Sequence, residues 1–170
     1  MSESSLDQIL SQRHAARKEI VDLDDPAVKL VIFELGGDWF AFHGDRIREI
    51  LAQTAVYFVP GCPPSIEGVI NVRGDIESVL LLYELLRLPA PPDSCGASIL
   101  LGQGGGMTSG IRVERVIDVV DVPQNSVQPP PSTLPEHMRP LVLGLLLFHQ
   151  HTVTVLDLDR IFADYAKEAE

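Results

Sequence analysis

The chain has 170 residues, 45% of them hydrophobic and 22% charged, and a formal net charge of −11. That length fits one domain, or two small barrels sharing a core, and the composition is that of a globular protein. The acidic balance speaks against nucleic acid and anionic membrane surfaces as partners, because both are bound through clustered Lys and Arg.

Ser2 to Asp25 is charged and carries Leu6, Ile9, Leu10, Arg13, Arg17 and Ile20 at helical spacing. Ser4 or Ser5 can cap its start, and Asp24-Asp25-Pro26 ends it, since proline disfavours a helical predecessor. An N-terminal helical extension over 1–28 is expected. Asp7 and Gln8 interrupt its apolar residues, unlike a signal peptide. The longest apolar stretch, Leu141 to Phe148, is far short of the roughly 20 residues of a membrane helix. Cys62 and Cys95 form no CxxC pair and no disulfide framework. A cytoplasmic protein without direct membrane insertion is the expectation.

From Lys29 the period changes to two. Lys29 to Leu35 and Trp39 to Phe42 read as strands joined by the turn Gly36-Gly37-Asp38. Arg46 to Leu51 is a further short strand or a helical turn. Val56 to Ser65, rich in Pro and Gly, is a loop. Glu67 to Val72 and Ile76 to Leu82 form a strand pair, and Tyr83 to Leu88 a short helix before Pro89. Ala90 to Gly96 is the clearest internal boundary, dividing the segment into halves 29–89 and 97–167. Ala97 to Leu101, Gly110 to Val113 and Val116 to Val122 are strands, with Gly102 to Gly106 as a loop between the first two. Pro123 to Pro140 holds six prolines and reads as a long surface loop. Leu141 to Phe148 and Thr152 to Leu156 form a last hairpin around His149-Gln150-His151, and Asp157 or Asp159 caps a C-terminal helix to about Lys167. Many short strands with frequent turn signals predict an all-β fold, a sandwich or small barrels.

The sequence between Pro63 and Leu82 is the most informative. It reads as strand, tight turn, strand, with Asn71, Arg73, Gly74 and Asp75 at or beside the tip. An arginine there is costly to bury and easy to present, so it is placed to meet a partner. Catalytic and metal-binding patterns are weak by comparison. Gly102-Gln103-Gly104-Gly105-Gly106 lacks the helix and the Lys-Ser/Thr pair of a phosphate loop. His149 and His151, with Asp157 as a third ligand, offer a metal- or ligand-binding β-barrel sensor as the alternative function, although a hairpin turn is the commoner setting for them. Cys62 with His43 has no supporting oxyanion motif. Arg73-Gly74-Asp75 spells a cell-adhesion tripeptide, a coincidence in a chain with no export signal.

Taken in order, five segments resemble the CheW family, the coupling domain of bacterial chemotaxis-type signalling. They are Gly37-Asp38-Trp39-Phe40-Ala41, the segment Ile47 to Ile50, and Val59-Pro60 through Pro63, Ile66 and Gly68 to Gly74 and Ile76. Gly110-Ile111 to Val119 and Val155-Leu156-Asp157-Leu158-Asp159 complete the set. The resemblance runs from Lys29 to about Ala163, and Asn71-Val72-Arg73-Gly74 is its most specific part. It implies two five-stranded SH3-like barrels over a shared core and a non-enzymatic adaptor with no cofactor and no metal. The implied partners are the regulatory domain of a CheA-type histidine kinase, the cytoplasmic tip of a methyl-accepting chemoreceptor, and other CheW-like proteins. A protein binding only one of the two in a non-motility pathway is a variant of the same expectation. By position, Ile47, Glu49, Ile50, Gly68 and Gly74 fall on the kinase side, and Asn71 and Arg73 on the receptor side. The family's Pro, and the Asp and Arg of its Asp-Leu-Arg, after the turn are replaced here by Ser78, Leu81 and Tyr83, which makes that returning strand and the N-terminal helix the expected places for an unusual partner.

Overall fold

A computed structural model describes residues 26–52, 54–89 and 98–169. The expected N-terminal helix and the 90–96 boundary segment lie outside them. Ten strands follow in chain order: β1 (Ala27–Leu35), β2 (Asp38–His43), β3 (Ile47–Ala52), β4 (Ile66–Val72), β5 (Asp75–Leu81), β6 (Ser98–Gly104), β7 (Met107–Val113), β8 (Arg115–Pro123), β9 (Val142–Phe148) and β10 (His151–Leu156). A short helix α1 (Leu82–Leu85) and a terminal helix α2 (Leu158–Ala169) accompany them.

The strands form two five-stranded sheets, in the orders β8-β1-β2-β10-β9 and β3-β6-β7-β5-β4. Each is an SH3-like barrel. The barrels do not divide at 90–96, as the composition suggested. β1 and β2 pair with the last three strands, in part through the parallel contact of β10 with β2, while β3 to β7 make the second barrel. In chain order the 90–96 boundary falls between two strands of the same sheet, β5 and β6.

The core explains why several strands read as continuous apolar runs rather than clean alternations. In β1, Leu30 and Ile32 enter a cluster made only of first-barrel residues, with Ala41, Leu146, Val153 and Val155. Their neighbours Val31, Phe33 and Leu35 enter a larger cluster shared with Leu80, Leu100, Ile111 and Val113 of the second barrel. Ile70, Val79 and Ile99, with Leu51, Val56 and Val72 packed against them, form a cluster of second-barrel residues alone. Strands buried on both faces need apolar residues at both parities.

The glycine segment differs from expectation. Only Gly105 and Gly106 form the turn, and Gly102 and Gly104 belong to β6. A Cβ on Gly102 would lie 2.9 Å from Leu158 Cδ2, and one on Gly104 2.5 Å from Asp159 Oδ1. These two glycines let α2 lie against the strand. Asp157 caps α2, accepting the Arg160 N–H at 3.2 Å. Asp159 instead accepts the Gly105 N–H at 2.9 Å and pairs with Arg46 at 3.0 Å, fastening the helix start to the second barrel. The short helix begins one residue earlier than expected and ends sooner, at Leu85. Leu88 N–H closes it onto Tyr83 O at 2.8 Å, with Arg87 in the left-handed region at φ 56°.

Candidate partner-binding site

The β4–β5 hairpin turns in two residues. Val72 pairs with Asp75, while Arg73 and Gly74 both take positive φ, 51° and 93°. This is the geometry of a type I′ turn, whose hand matches the twist of the strands. Gly74 adopts it without penalty, and a Cβ there would meet open space. Arg73 does not: a left-handed non-glycine residue costs about 1–2 kcal/mol. Asn71 Oδ1 accepts the Gly74 N–H at 2.8 Å and braces the turn from within.

The Arg73 side chain stays 74% exposed yet is oriented, its guanidinium meeting Glu49 Oε1 at 2.6 Å. Glu49 lies on β3, the opposite edge of the same sheet. The pair so links both edges of the barrel at one end. Arg48, Asp75 and Glu77 line the depression between them. An exposed ion pair of this kind adds only about 0–1 kcal/mol. Its effect is to fix the direction in which an otherwise flexible cation points.

Of the other expected site residues, Ile50 and Ile47 divide. Ile50 is 42% exposed, whereas Ile47 packs against the shared core. Gly68 is buried, and its backbone is approached by the chain itself. A Cβ there would lie 2.3 Å from Tyr57 O, because Tyr57 and Val69 exchange backbone hydrogen bonds of 2.8 and 2.9 Å. The space above Gly68 is therefore filled by the chain itself. The departures from the family pattern are partly internal: the Ser78 hydroxyl bonds that of Ser109 at 2.9 Å, and Leu81 and Tyr83 are half-buried, Tyr83 against the shared core.

Two features escaped sequence reasoning. Exposed Tyr57, Phe58 and Ile76 add apolar surface to the second barrel, at 63%, 77% and 63% exposure. Tyr57 and Phe58 sat in a segment read only as a loop. The second is a nearly buried bidentate pair, Arg112 Nε and Nη2 to Glu67 Oε1 and Oε2 at 2.9 and 2.7 Å. Glu67 stands at a register shift in β4, between Ile66 and Gly68. A charged residue inside the apolar run Gly110 to Val113 was the available signal, since a buried arginine requires a partner.

The alternative centres are not assembled. His149 and Gln150 take φ of 46° and 67°, so His149 is in the hairpin turn and not extended beside His151. His151 stacks on Trp39 at 3.8 Å between ring centroids, and Asp157 is occupied in capping α2. Among the described residues no three His, Cys, Asp or Glu side chains are grouped to hold a metal ion. Nor, among them, is any helix long and apolar enough to cross a membrane.

Comparison with known proteins places this geometry in context. The chemotaxis protein CheW of Rhizobium meliloti (strain 1021) is 26% identical over 141 residues, 83% of this chain and 91% of that protein. The chemotaxis protein CheW of Thermotoga maritima is 24% identical over 136 residues, 80% and 88% of the two chains. The crystal structure of the scaffolding protein TtCheW from Thermoanaerobacter tengcongensis matches the fold with a TM-score of 0.71 at 24% identity, covering 80% of this chain and 92% of that one. The family model of the CheW-like domain matches residues 29–166. The chain, with its two interlocked barrels and its Arg73–Glu49 turn, belongs to the CheW-like domain family.

Proposed function

We propose that this protein is a non-enzymatic adaptor of chemotaxis-type signalling that couples chemoreceptors to a CheA-type histidine kinase. The observation that carries the reading is Arg73. It occupies a backbone position where asparagine or glycine is cheaper, and its guanidinium is held outward by Glu49. A strained residue presented to solvent serves what it meets, not the fold that holds it.

In this reading residues 29–167 act as one CheW-like unit in the cytoplasm. Glu49, Ile50 and Gly74 border the surface offered to the regulatory domain of the kinase, with Ile47 and Gly68 supporting it from beneath. Asn71 and Arg73 border the surface offered to the cytoplasmic tip of a methyl-accepting receptor. Other CheW-like proteins can occupy the same surfaces. The work is done by geometry: each contact is reversible, and the rigid shared core transmits the relative placement of the two partners. The test is Arg73→Glu, which opposes Glu49 with a like charge and reverses the presented one. Pull-downs with a receptor cytoplasmic fragment and with the kinase regulatory domain, run separately, are expected to show loss of at least one partner. Retention of both, with the circular dichroism spectrum unchanged, refutes the assignment.

A further inference from the structure

The two edges of the first sheet are built differently. One edge strand, β8, carries Arg115, Asp118 and Asp121. The other, β9, reads Val-Leu-Gly-Leu-Leu-Leu-Phe and has no charged residue. Natural edge strands ordinarily carry charge or lie under a helix or loop, because an apolar edge invites another chain.

The side chains of β9 alternate. Val142, Gly144 and Leu146 are buried, so Leu143, Leu145 and Leu147 share the opposite face. Leu145 is half-buried, while Leu143 and Leu147 are 44% and 72% exposed. On the neighbouring strand β10, Thr154 stands opposite Leu145 and Thr152 opposite Leu147. The result is an uncharged strip of three leucines, about 14 Å long at the rise of a strand. Its Leu143 end borders a depression that the exposed Asp45 also lines.

The chain itself supplies a segment of matching length and pattern. Residues 1–25 lie outside the described structure and precede the family match, which begins at residue 29. The described chain begins at Pro26, whose carbonyl accepts the Gln124 N–H at 3.1 Å. Gln128, soon after, exchanges backbone hydrogen bonds of 2.7 and 2.8 Å with Leu145. The chain from Gln124 to Gln128 spans at most about 14 Å, so the N-terminal segment departs within reach of β9. In helical form Leu6 to Arg17 extends about 16 Å, close to the length of the leucine strip. Leu6, Ile9 and Leu10 share a helical stripe with Arg13 and Arg17, whose aliphatic stems prolong it and whose charges suit an acidic neighbour. We propose that residues 1–25 dock on their own first barrel as the cover of the β9 edge. Leu6, Ile9 and Leu10 lie on Leu145 and Leu147, and Arg13 and Arg17 lie toward Leu143 and Asp45. The contact is on the other barrel from the Arg73 turn and does not depend on the coupling function.

Arg13, Arg17 and Lys18 are also the tryptic sites of this segment, so docking is measurable as protection. The full-length protein is digested briefly under native conditions, and the N-terminal fragments are quantified by mass spectrometry. Leu147→Asp changes an exposed position far from these sites in sequence. It is expected to speed cleavage at all three by about tenfold or more, with the circular dichroism spectrum unchanged. An unchanged rate in the folded variant overturns the proposal. A second measurement leaves the barrel's own residues untouched. In the isotope-labelled full chain, Leu6→Asp combined with Leu10→Asp is expected to shift the amides of Leu143, Leu145, Leu147 and Thr152 but not that of Gly74. Unmoved β9 amides overturn the proposal whatever the fate of Leu147→Asp. Wild-type protection that disappears on dilution gives the strip to a second copy of the chain and overturns it as well.

Discussion

Arg73→Asn separates the function of the hairpin tip from its stability. Asparagine tolerates the left-handed region and makes Asn-Gly, the favoured type I′ pair. Relief of the backbone strain at φ 51° contributes about 1 kcal/mol in favour of the variant. Loss of the Glu49 contact opposes this by roughly 0.2–1 kcal/mol, toward the lower figure because the Arg73 side chain is 74% exposed. The net is about 0 to +1 kcal/mol, which for a domain of this size is a Tm change of about 0 to +4 °C. Binding moves the other way. Removing a central interface arginine costs on the order of 2 kcal/mol, roughly 30-fold in Kd. Calorimetric unfolding and titration calorimetry with the receptor fragment and the kinase domain measure the two quantities independently. A Tm fall of several degrees would mean that Arg73 holds the fold together, and the argument from strain would fail. Unchanged Kd for both partners would defeat it equally.

Three further outcomes follow from the packing. Arg112→Met leaves Glu67 as an unpaired, mostly buried carboxylate and is expected to lower stability by about 3–5 kcal/mol. Adding Glu67→Leu recovers part of that loss, and urea unfolding of the single and double variants checks the non-additivity. Gly68→Ala places a methyl group where Tyr57 O now lies 2.3 Å away, so the 54–59 segment must move off β4. The cost is about 1–3 kcal/mol, and amide exchange is expected to speed up at Tyr57 and Val69. Asp157→Ala removes the cap of α2 and lowers stability by about 1 kcal/mol in chemical denaturation.

Local features were legible wherever they depend on neighbours in sequence. The Arg73-Gly74 turn, the Gly36-Gly37 hairpin and the cap at Asp157 are set by residues within a few positions of one another. The shared core was legible only as a class, because Val31 and Ile32 are equally apolar and nothing local says which barrel each one faces. The barrel boundary was misplaced for a related reason. A Pro-rich segment marks a loop, but which strands pair across it depends on the long-range contact of β2 with β10. The glycines of β6 were read as a turn because Gly in sequence announces freedom. Gly102 and Gly104 instead make room for α2, a neighbour more than fifty residues away. The Glu49–Arg73 pair spans 24 residues, and the resemblance had assigned its two members to different partner surfaces.

The division of the core bears on how such an adaptor can change partners. Most of its large buried residues lie in the layer between the barrels, which both sheets help to build. Among the described residues, the second barrel's own interior cluster encloses Ile70, Val79 and Ile99, with Leu51, Val56 and Val72 packed against it. The hairpin that carries Arg73 belongs to this lightly filled barrel, at the end of strands whose tip residues are exposed. Substitutions at the tip therefore remove little buried area, and their stability effects stay within about 1 kcal/mol, as surface changes usually do. Substitutions in the shared layer forfeit two barrels at once. Large-to-small changes there, such as Phe33→Ala, are expected to cost about 3–5 kcal/mol. Under the proposed function, the hairpin tip that meets partners is thus free to vary while the layer that fixes the placement of the two barrels is not.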